Sequence, residues 1–149
     1  MSEETKQRIK ILTARAEEYY EKQPDLKKLV DKLLAIDGDV VCVGFEEDLD
    51  KLLSRGELFS GKGSKLMKGQ PSQCHSNSSE LWDLNKKKVE LVTGYAMSKD
   101  NDGLKVWRCH SWLIEKSSGK VIETTVKRKL YFGFKMTTEE SSKFYFDNY

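Results

Sequence analysis

The sequence has no apolar run near the roughly 20 residues that a membrane-spanning helix needs, and Met1 to Lys10 are mostly charged or polar. Neither a membrane anchor nor a secretory leader is therefore expected. Cysteine is also scarce, because Cys42, Cys74 and Cys109 are the only thiols, an odd number that does not suit a disulfide framework. These absences favour a reducing compartment, and we expect a cytoplasmic protein.

An excess of one charge is absent as well. The chain has 26 basic and 24 acidic residues, which leaves a formal net charge of +2. Such a balance creates no global field toward polyanions, so we expect neither nucleic acid nor a membrane as a partner. The basic stretch at residues 61–68 is expected to be a solvated loop.

No internal repeat and no domain boundary interrupts the sequence, so residues 1–149 are expected to form a single domain around one core. Residues 1–60 are predicted to be mainly helical because apolar side chains recur there at spacings of three and four. Asp25 is expected to cap the second helix. The predicted elements are helices at 4–22, 25–36 and 46–54, a short buried strand at 40–44, and a long loop at 55–71.

Residues 70–134 show a different pattern, in which one helix that carries a cysteine is followed by strands. A helix is predicted over 74–85, with Ser72 as its candidate cap, and a last helix is predicted after Thr137, with Thr138 and Ser141 at its start. The order of helices first and an antiparallel sheet afterwards indicates the α+β class. The predicted strands are 88–98, 104–115, 119–127 and 131–134.

Cys74 is the candidate nucleophile because it lies just inside a predicted helix start, where the helix dipole favours the thiolate. An imidazole must also reach the thiol, and the chain has only His75 and His110. Neighbouring helical residues point about 100° apart, so His75 is expected to be badly aimed. Strand alternation places His110 on one face with Trp112, and Cys109 on the other face with Ser111. We therefore expect His110 to be the base.

A tight turn near Ser117 and Ser118 pairs residues whose numbers sum to about 235. Glu123 then lies diagonally from His110 on the same face, within reach of a long side chain. A carboxylate there can hold one ring nitrogen and leave the other for the thiol, as in a catalytic triad. A carboxylate beside a cleft is only partly desolvated, so Glu123→Gln is expected to change stability little.

These residues resemble the transglutaminase-like branch of the papain-fold thiol enzymes over about residues 70–126. The similar features are a cysteine that starts a helix, a Gly-Tyr strand, a His-x-Trp strand, and an acidic residue followed by Thr. Glu123 stands where that family has Asp, and no Gly-x-Cys-x-x-x-Ala signature surrounds Cys74. The corresponding residues here are Cys74, Gly94-Tyr95, His110-Ser111-Trp112 and Glu123-Thr124-Thr125.

The resemblance implies a papain-like or transglutaminase-like core and a Cys-His-Glu triad that attacks an amide, ester or thioester carbonyl. The acyl group would pass to water or to an amine, so the substrate would be a peptide, a protein or a small amide or ester. It also implies a Gln shortly before the cysteine as an oxyanion donor. The candidate binding residues are Gln70, Gln73, Asn77, Tyr95 and Trp112.

Purely structural roles are the alternative for several of these residues. Cys42 and Cys109 are expected to be buried apolar residues, and Tyr95 and Trp112 are expected to serve as core or cleft-wall aromatics rather than ligand platforms. Zinc ligands are usually two to four residues apart, so the adjacent Cys-His pairs predict no metal site, and no cofactor is expected. A non-catalytic binding module that retains the fold is the alternative function. The sequence of residues 1–60 resembles no known family and indicates no functional role for this part of the chain.

Overall fold

The computed structural model describes residues 1–148, so the last residue of the predicted 1–149 domain lies outside it. The elements belong to the α+β class, as the sequence predicted. The helices are α1 (Glu3–Tyr19), α2 (Leu26–Ile36), α3 (Leu49–Arg55), α4 (Cys74–Leu84) and α5 (Thr138–Asn148). The strands are β1 (Val40–Cys42), β2 (Glu57–Ser60), β3 (Lys65–Leu66), β4 (Val89–Lys99), β5 (Lys105–Glu115), β6 (Val121–Glu123) and β7 (Leu130–Lys135).

The strands form one mostly antiparallel sheet in the order β2-β7-β4-β5-β6-β3, and β1 pairs in parallel with β5. The two long strands β4 and β5 are joined by antiparallel pairing along their whole length. Most of their side chains are buried. This pair is the centre of the fold, and the sequence predicted both strands to within one residue at each end.

Side chains alternate between two apolar layers. Trp107 and Leu113 of β5 belong to the larger core, which also contains the apolar sides of α2, α3 and α4. Trp112 and Ile114 belong to a second cluster on the opposite face, with Tyr131 of β7. The face assignment made from strand alternation is therefore confirmed.

One edge of β5 is covered by two short strands with a gap between them. β1 pairs with β5 from Val106 to Arg108, and β6 pairs with it at Leu113 and Ile114. Residues 109–112 have no strand partner on this side in the described part of the chain. Helix α4 packs against β5, and its first residues contact this unpaired stretch.

The predicted strand over 119–127 is much shorter, because β6 ends at Glu123. Its pairing with β5 follows the expected register, since the numbers of both Leu113–Ile122 and Ile114–Val121 sum to 235. The strand stops because the Glu123 carboxylate accepts the backbone N–H groups of the next two residues. Those donors cannot then join a ladder.

The long loop predicted at 55–71 contains two strands, β2 and β3, and the preceding helix α3 extends to Arg55. Most residues of these strands are exposed, and the strands are held by pairing with β7 and β6. Such edge strands lack the alternating apolar pattern that would reveal them in the sequence.

The predicted caps of α2 and α5 are wrong. Asp25 makes no capping bond, and its carboxylate pairs instead with Lys28. The start of α5 uses Thr137 rather than Thr138: the Thr137 hydroxyl accepts the Glu140 N–H at 3.1 Å, while the Glu140 carboxylate accepts the Thr137 N–H at 2.9 Å. This reciprocal pair is a full capping box.

Within residues 1–148, no helix has both the length and the apolar character that a membrane span requires.

Gly94 lies where β4 is squeezed between β5 and β7, opposite His110 and Gly133. A Cβ atom there would lie 2.2 Å from the Phe132 carbonyl oxygen and 2.5 Å from the Gly133 Cα. Because both atoms are backbone, the strands must separate to admit it. We expect Gly94→Ala to lower the free energy of unfolding by about 3 kcal/mol, at the upper end for overpacking.

Urea denaturation measures this change. Gly119→Asn is the control, because a Cβ atom at that position would meet nothing within 4 Å and Asn tolerates the positive φ of 72°. Equal stability of Gly94→Ala and the native chain would contradict the close approach of these strands.

Candidate active site

Cys74 is the first residue of α4, as the sequence predicted, but the helix does not begin with the expected cap. Ser72 has a φ of +58°, and Gln73 is the N-cap residue without a side-chain capping bond. The first N–H groups of α4 are therefore left for another acceptor. The poor helix propensity of this Ser- and Asn-rich segment is offset by burial of Trp82 and its neighbours.

The segment that leads into Cys74 is held in place by backbone hydrogen bonds. The Met67 and Gly69 N–H groups donate to the carbonyl oxygens of Glu123 and Thr124, each at 2.8 Å. The Asn77 amide accepts the Gln70 N–H at 3.1 Å and donates to the Gln70 carbonyl oxygen at 2.8 Å. Asn77, a candidate binding residue, thus fixes the approach to the cysteine.

His110 is held by Glu123 as the sequence predicted. The residue is 4% exposed, and its Nε2 lies 2.8 Å from Glu123 Oε1. It stacks near the Trp112 indole, with centroids 6.1 Å apart and an interplanar angle of 19°. Because Nε2 is engaged by the carboxylate, Nδ1 is the nitrogen left for the thiol.

Glu123 has no exposed surface, so the expectation of a partly desolvated carboxylate is wrong. Oε1 accepts from Tyr131 Oη at 2.9 Å as well as from His110, and Arg128 lies at 3.4 Å. Oε2 accepts the N–H groups of Thr124 and Thr125 and the Thr125 hydroxyl. Burial alone would raise the Glu123 pKa, but His110, the Thr125 N–H and Arg128 hold that pKa below its usual value.

The Cys74 thiol is activated by two imidazoles. Burial raises its pKa, but interactions with His110 and His75 outweigh burial and lower the Cys74 pKa to about 5. The same interactions act in reverse on His110, where burial lowers the pKa and the contacts with Cys74 and Glu123 raise it above its usual value. A pKa near 5 favours the thiolate form of Cys74 at neutral pH.

His75 was expected to be badly aimed at Cys74, and this expectation is wrong. Its Nδ1 lies 2.5 Å from Ser111 Oγ, and its ring interacts with the thiols of Cys109 and Cys74, which raise the His75 pKa to about 10. The 100° angle between helical neighbours is no obstacle, because the thiol lies at the β5 edge. His110 reaches it from one face of the sheet and His75 from the other.

The other two cysteines were expected to be buried, and this expectation is wrong. Cys42 and Cys109 are both exposed. Cys42 ends β1, where pairing with Arg108 stops. Cys109 lines a cavity of about 400 Å³ together with His75. Selective reaction of Cys74 must therefore come from its ionisation rather than from protection of the other thiols.

The remaining candidate binding residues fall into two groups. Gln70 and Gln73 are exposed and lie four residues and one residue before the cysteine. Tyr95 and Trp112 are 2% and 0% exposed, so they are core aromatics, which was the structural alternative to a role in ligand binding. The Tyr95 hydroxyl donates to Glu46 Oε1 at 2.6 Å, and neither aromatic lines the cavity.

No protein-family model, curated protein or solved structure matches the chain. Within residues 1–148, no cluster of three or more His, Cys, Asp or Glu side chains is arranged to hold a metal ion.

The lowered Cys74 pKa predicts an unusual pH profile for alkylation by iodoacetamide. At pH 6 a thiol with pKa near 5 is mostly ionised, whereas an ordinary free thiol is ionised to less than about 1%. A thiolate of low pKa is intrinsically less nucleophilic, which removes much of the advantage. We expect Cys74 to react roughly tenfold faster than an ordinary thiol at pH 6 and more slowly at pH 9.

Mass mapping of the labelled peptides follows all three cysteines in one sample, with the exposed Cys42 outside the site as the internal control. A Cys74 rate that rises tenfold per pH unit between pH 6 and pH 8 would contradict the ionised thiol.

Proposed function

We propose that this protein is a thiol enzyme that forms an acyl-enzyme on Cys74 from an amide, ester or thioester. The observation that carries the proposal is the continuous chain from the partly buried Cys74 thiol through His110 to the buried Glu123 carboxylate. Nucleophile, base and orienting group stand in the order that covalent catalysis requires. The resemblance to transglutaminase-like enzymes supports the same reaction class.

In the first half of the reaction the Cys74 sulfur bonds to the carbonyl carbon, and the bond from that carbon to the leaving group breaks. His110, held through Nε2 by Glu123, gives its Nδ1 proton to the leaving amine, alcohol or thiol. Water or an amine then attacks the thioester while His110 takes back a proton. The thiolate is restored, so atoms and charge balance over the cycle.

The carbonyl oxygen becomes negative in the tetrahedral intermediate and needs donors. Helix α4 offers its first N–H groups, since the Gln73 side chain does not cap them. The positive end of the helix dipole lies at the same place. Gln70 and Gln73 are the side chains next to this position and would add a further donor.

The substrate would be a peptide, a protein or a small amide or ester, and no cofactor enters the reaction. A cytoplasmic location suits the mechanism, since a reducing compartment keeps the thiol available. Transfer to an amine and hydrolysis share the acyl-enzyme, and they differ only in which nucleophile reaches it.

p-Nitrophenyl acetate tests the proposal without knowledge of the natural substrate. We expect rapid release of one equivalent of p-nitrophenolate and a gain of one acetyl group on Cys74, read by peptide mass. Cys74→Ser should abolish the burst, whereas Cys42→Ser, the same change at an exposed thiol outside the site, should keep it.

Added methylamine would shift the product toward N-methylacetamide if the enzyme transfers acyl groups to amines. If the folded protein gains no acetyl group on Cys74, the proposed thiol enzyme is wrong and the non-catalytic binding module is favoured.

The buried Glu123 carboxylate predicts a double effect for Glu123→Gln. An amide can select the wrong His110 tautomer, so acetylation of Cys74 should slow by at least about 100-fold. The Gln side chain would also point its own N–H₂ group at groups that donate to Glu123 in the native protein, such as the Thr124 and Thr125 N–H groups. Loss of the charged partner of His110 in this buried pair should lower the free energy of unfolding by about 3 kcal/mol.

Burst kinetics well below the melting temperature and urea denaturation measure the two effects separately. Glu115→Gln is the matched control, because this more exposed carboxylate pairs with Lys65 far from the thiol and should affect neither quantity much. Native acetylation kinetics in a folded Glu123→Gln protein would show that Glu123 has no part in catalysis.

A further inference from the structure

His75 is held by a chain of hydrogen bonds whose direction can be deduced. Thr93 Oγ1 lies 3.4 Å from the His110 carbonyl oxygen, and a carbonyl oxygen can only accept. Thr93 therefore accepts from Ser111 Oγ at 2.9 Å, and Ser111 in turn accepts from His75 Nδ1 at 2.5 Å. This chain places a proton on Nδ1 and leaves Nε2 for the thiols.

Packing fixes the ring as well as its tautomer. Phe144 of α5 meets the imidazole edge-on, with centroids 5.5 Å apart. Ser111 is fully buried and Thr93 nearly so, which shields the hydrogen-bond chain from water. A loosely placed surface histidine would have neither restraint.

The charges at the site favour a second cation beside the sulfur. If Cys74 is a thiolate and His110 an imidazolium, His110 is shared between two anions, the sulfur and the buried Glu123 carboxylate. The guanidinium of Arg128 contacts only the carboxylate of that pair. The sulfur is then only partly balanced by His110, and an incompletely paired buried charge is costly. His75 is the remaining histidine of the chain, and it interacts with that sulfur.

We propose that His75 is the standing counter-ion of the Cys74 thiolate, positioned by Ser111 and Thr93, while His110 alone moves protons to and from substrate. This inference rests on the proposed function, because it assigns a role at the same nucleophile. His75 takes the thiol proton on Nε2 and keeps it through the cycle. Ser111 and Thr93 act through His75 and are positioning residues.

Other charged groups line the same cavity as His75. Cys109 and His110 of β5 and Glu123 of β6 belong to the site itself. Most of the others are paired: Glu140 with Lys51 and Arg55, Asp147 with Lys143, and Glu46 with the Tyr95 hydroxyl. The charged residues that line the cavity with His75 are Glu46, Glu47, Asp48, Lys51, Glu140, Lys143 and Asp147.

The pH profile of Cys74 alkylation tests the counter-ion, with each cysteine followed by peptide mass. His75→Gln should move the midpoint of the Cys74 profile upward by roughly 1–3 pH units, the usual effect of one nearby opposite charge. Ser111→Ala should move it in the same direction by less, because the ring remains but its orientation is released. A merely structural role would lower stability without moving this midpoint.

Ser79→Ala is the matched control. The Ser79 hydroxyl is as buried as that of Ser111, but it donates to the His75 backbone carbonyl at 2.7 Å and not to the ring. Its loss should leave the Cys74 midpoint where it is in the native chain. A shift equal to that of Ser111→Ala would mean that any loosening of α4 has this effect, and it would overturn the proposal.

The charge of His75 can also be read without altering it. The chain has only two histidines, so ¹⁵N-labelled native protein gives two sets of ring signals, assigned through the His75→Gln variant. We expect one set to report both nitrogens protonated at pH 8. Because Cys109 also raises the His75 pKa, Cys74→Ser should lower the pH at which this ring loses a proton without restoring the value of a free histidine. A neutral His75 ring in the native protein at pH 8 overturns the proposal.

Failure of this inference is distinguishable from failure of the proposed function. If Cys74 acetylates and alkylates at low pH but His75→Gln changes neither profile, only the role of His75 is wrong. If native Cys74 forms no acetyl adduct, the thiol enzyme itself is wrong, whatever the charge of His75.

Discussion

The buried carboxylate of Glu123 is the constraint on which the site depends. Moving an ionised carboxylate out of water costs several kcal/mol, and it persists only where donors replace the lost water. Here His110, Tyr131, Thr124, Thr125 and Arg128 supply them. Because Glu123 accepts two successive backbone N–H groups, strand β6 ends there. The Tyr131 hydroxyl reaches the carboxylate from β7, although β4 and β5 lie between β7 and β6 in the sheet. The His110 ring is oriented for the same reason, because its Nε2 is one of the donors that the buried carboxylate needs.

The gap in strand pairing along β5 explains why a cysteine on a helix can meet two histidines. A central strand normally has neighbours on both sides, so its side chains face only the two layers of the core. Between β1 and β6 the edge of residues 109–112 is open to the start of α4. Cys74 lies at this edge, where His110 reaches it from one layer and His75 from the other.

The sequence predicted those features that short-range geometry controls. A tight turn leaves almost no freedom of register, so the sum of 235 placed Glu123 on the His110 face and anticipated their contact. The contact of His75 with the thiol was missed, because the angle between helical neighbours does not show whether a thiol lies at a strand edge, between the two faces of the sheet. The exposure of Cys42 and Cys109 depends on where strand pairing stops. That is a property of the assembled sheet and not of the apolar residues that flank them.

Four ionisable groups let the proposed reaction proceed at constant buried charge. Before attack, a thiolate and a carboxylate balance two imidazolium rings. In the tetrahedral intermediate the negative charge moves from the Cys74 sulfur to the substrate oxygen, and the sum is still zero. In the acyl-enzyme the thioester and His110 are neutral, and Glu123 balances His75. Because the sum over these four groups is the same in each state, and Arg128 beside Glu123 keeps its charge throughout, no step has to create an unpaired charge inside the protein, where it would cost most. Without the charge of His75, the same groups would be more negative by one unit in every state.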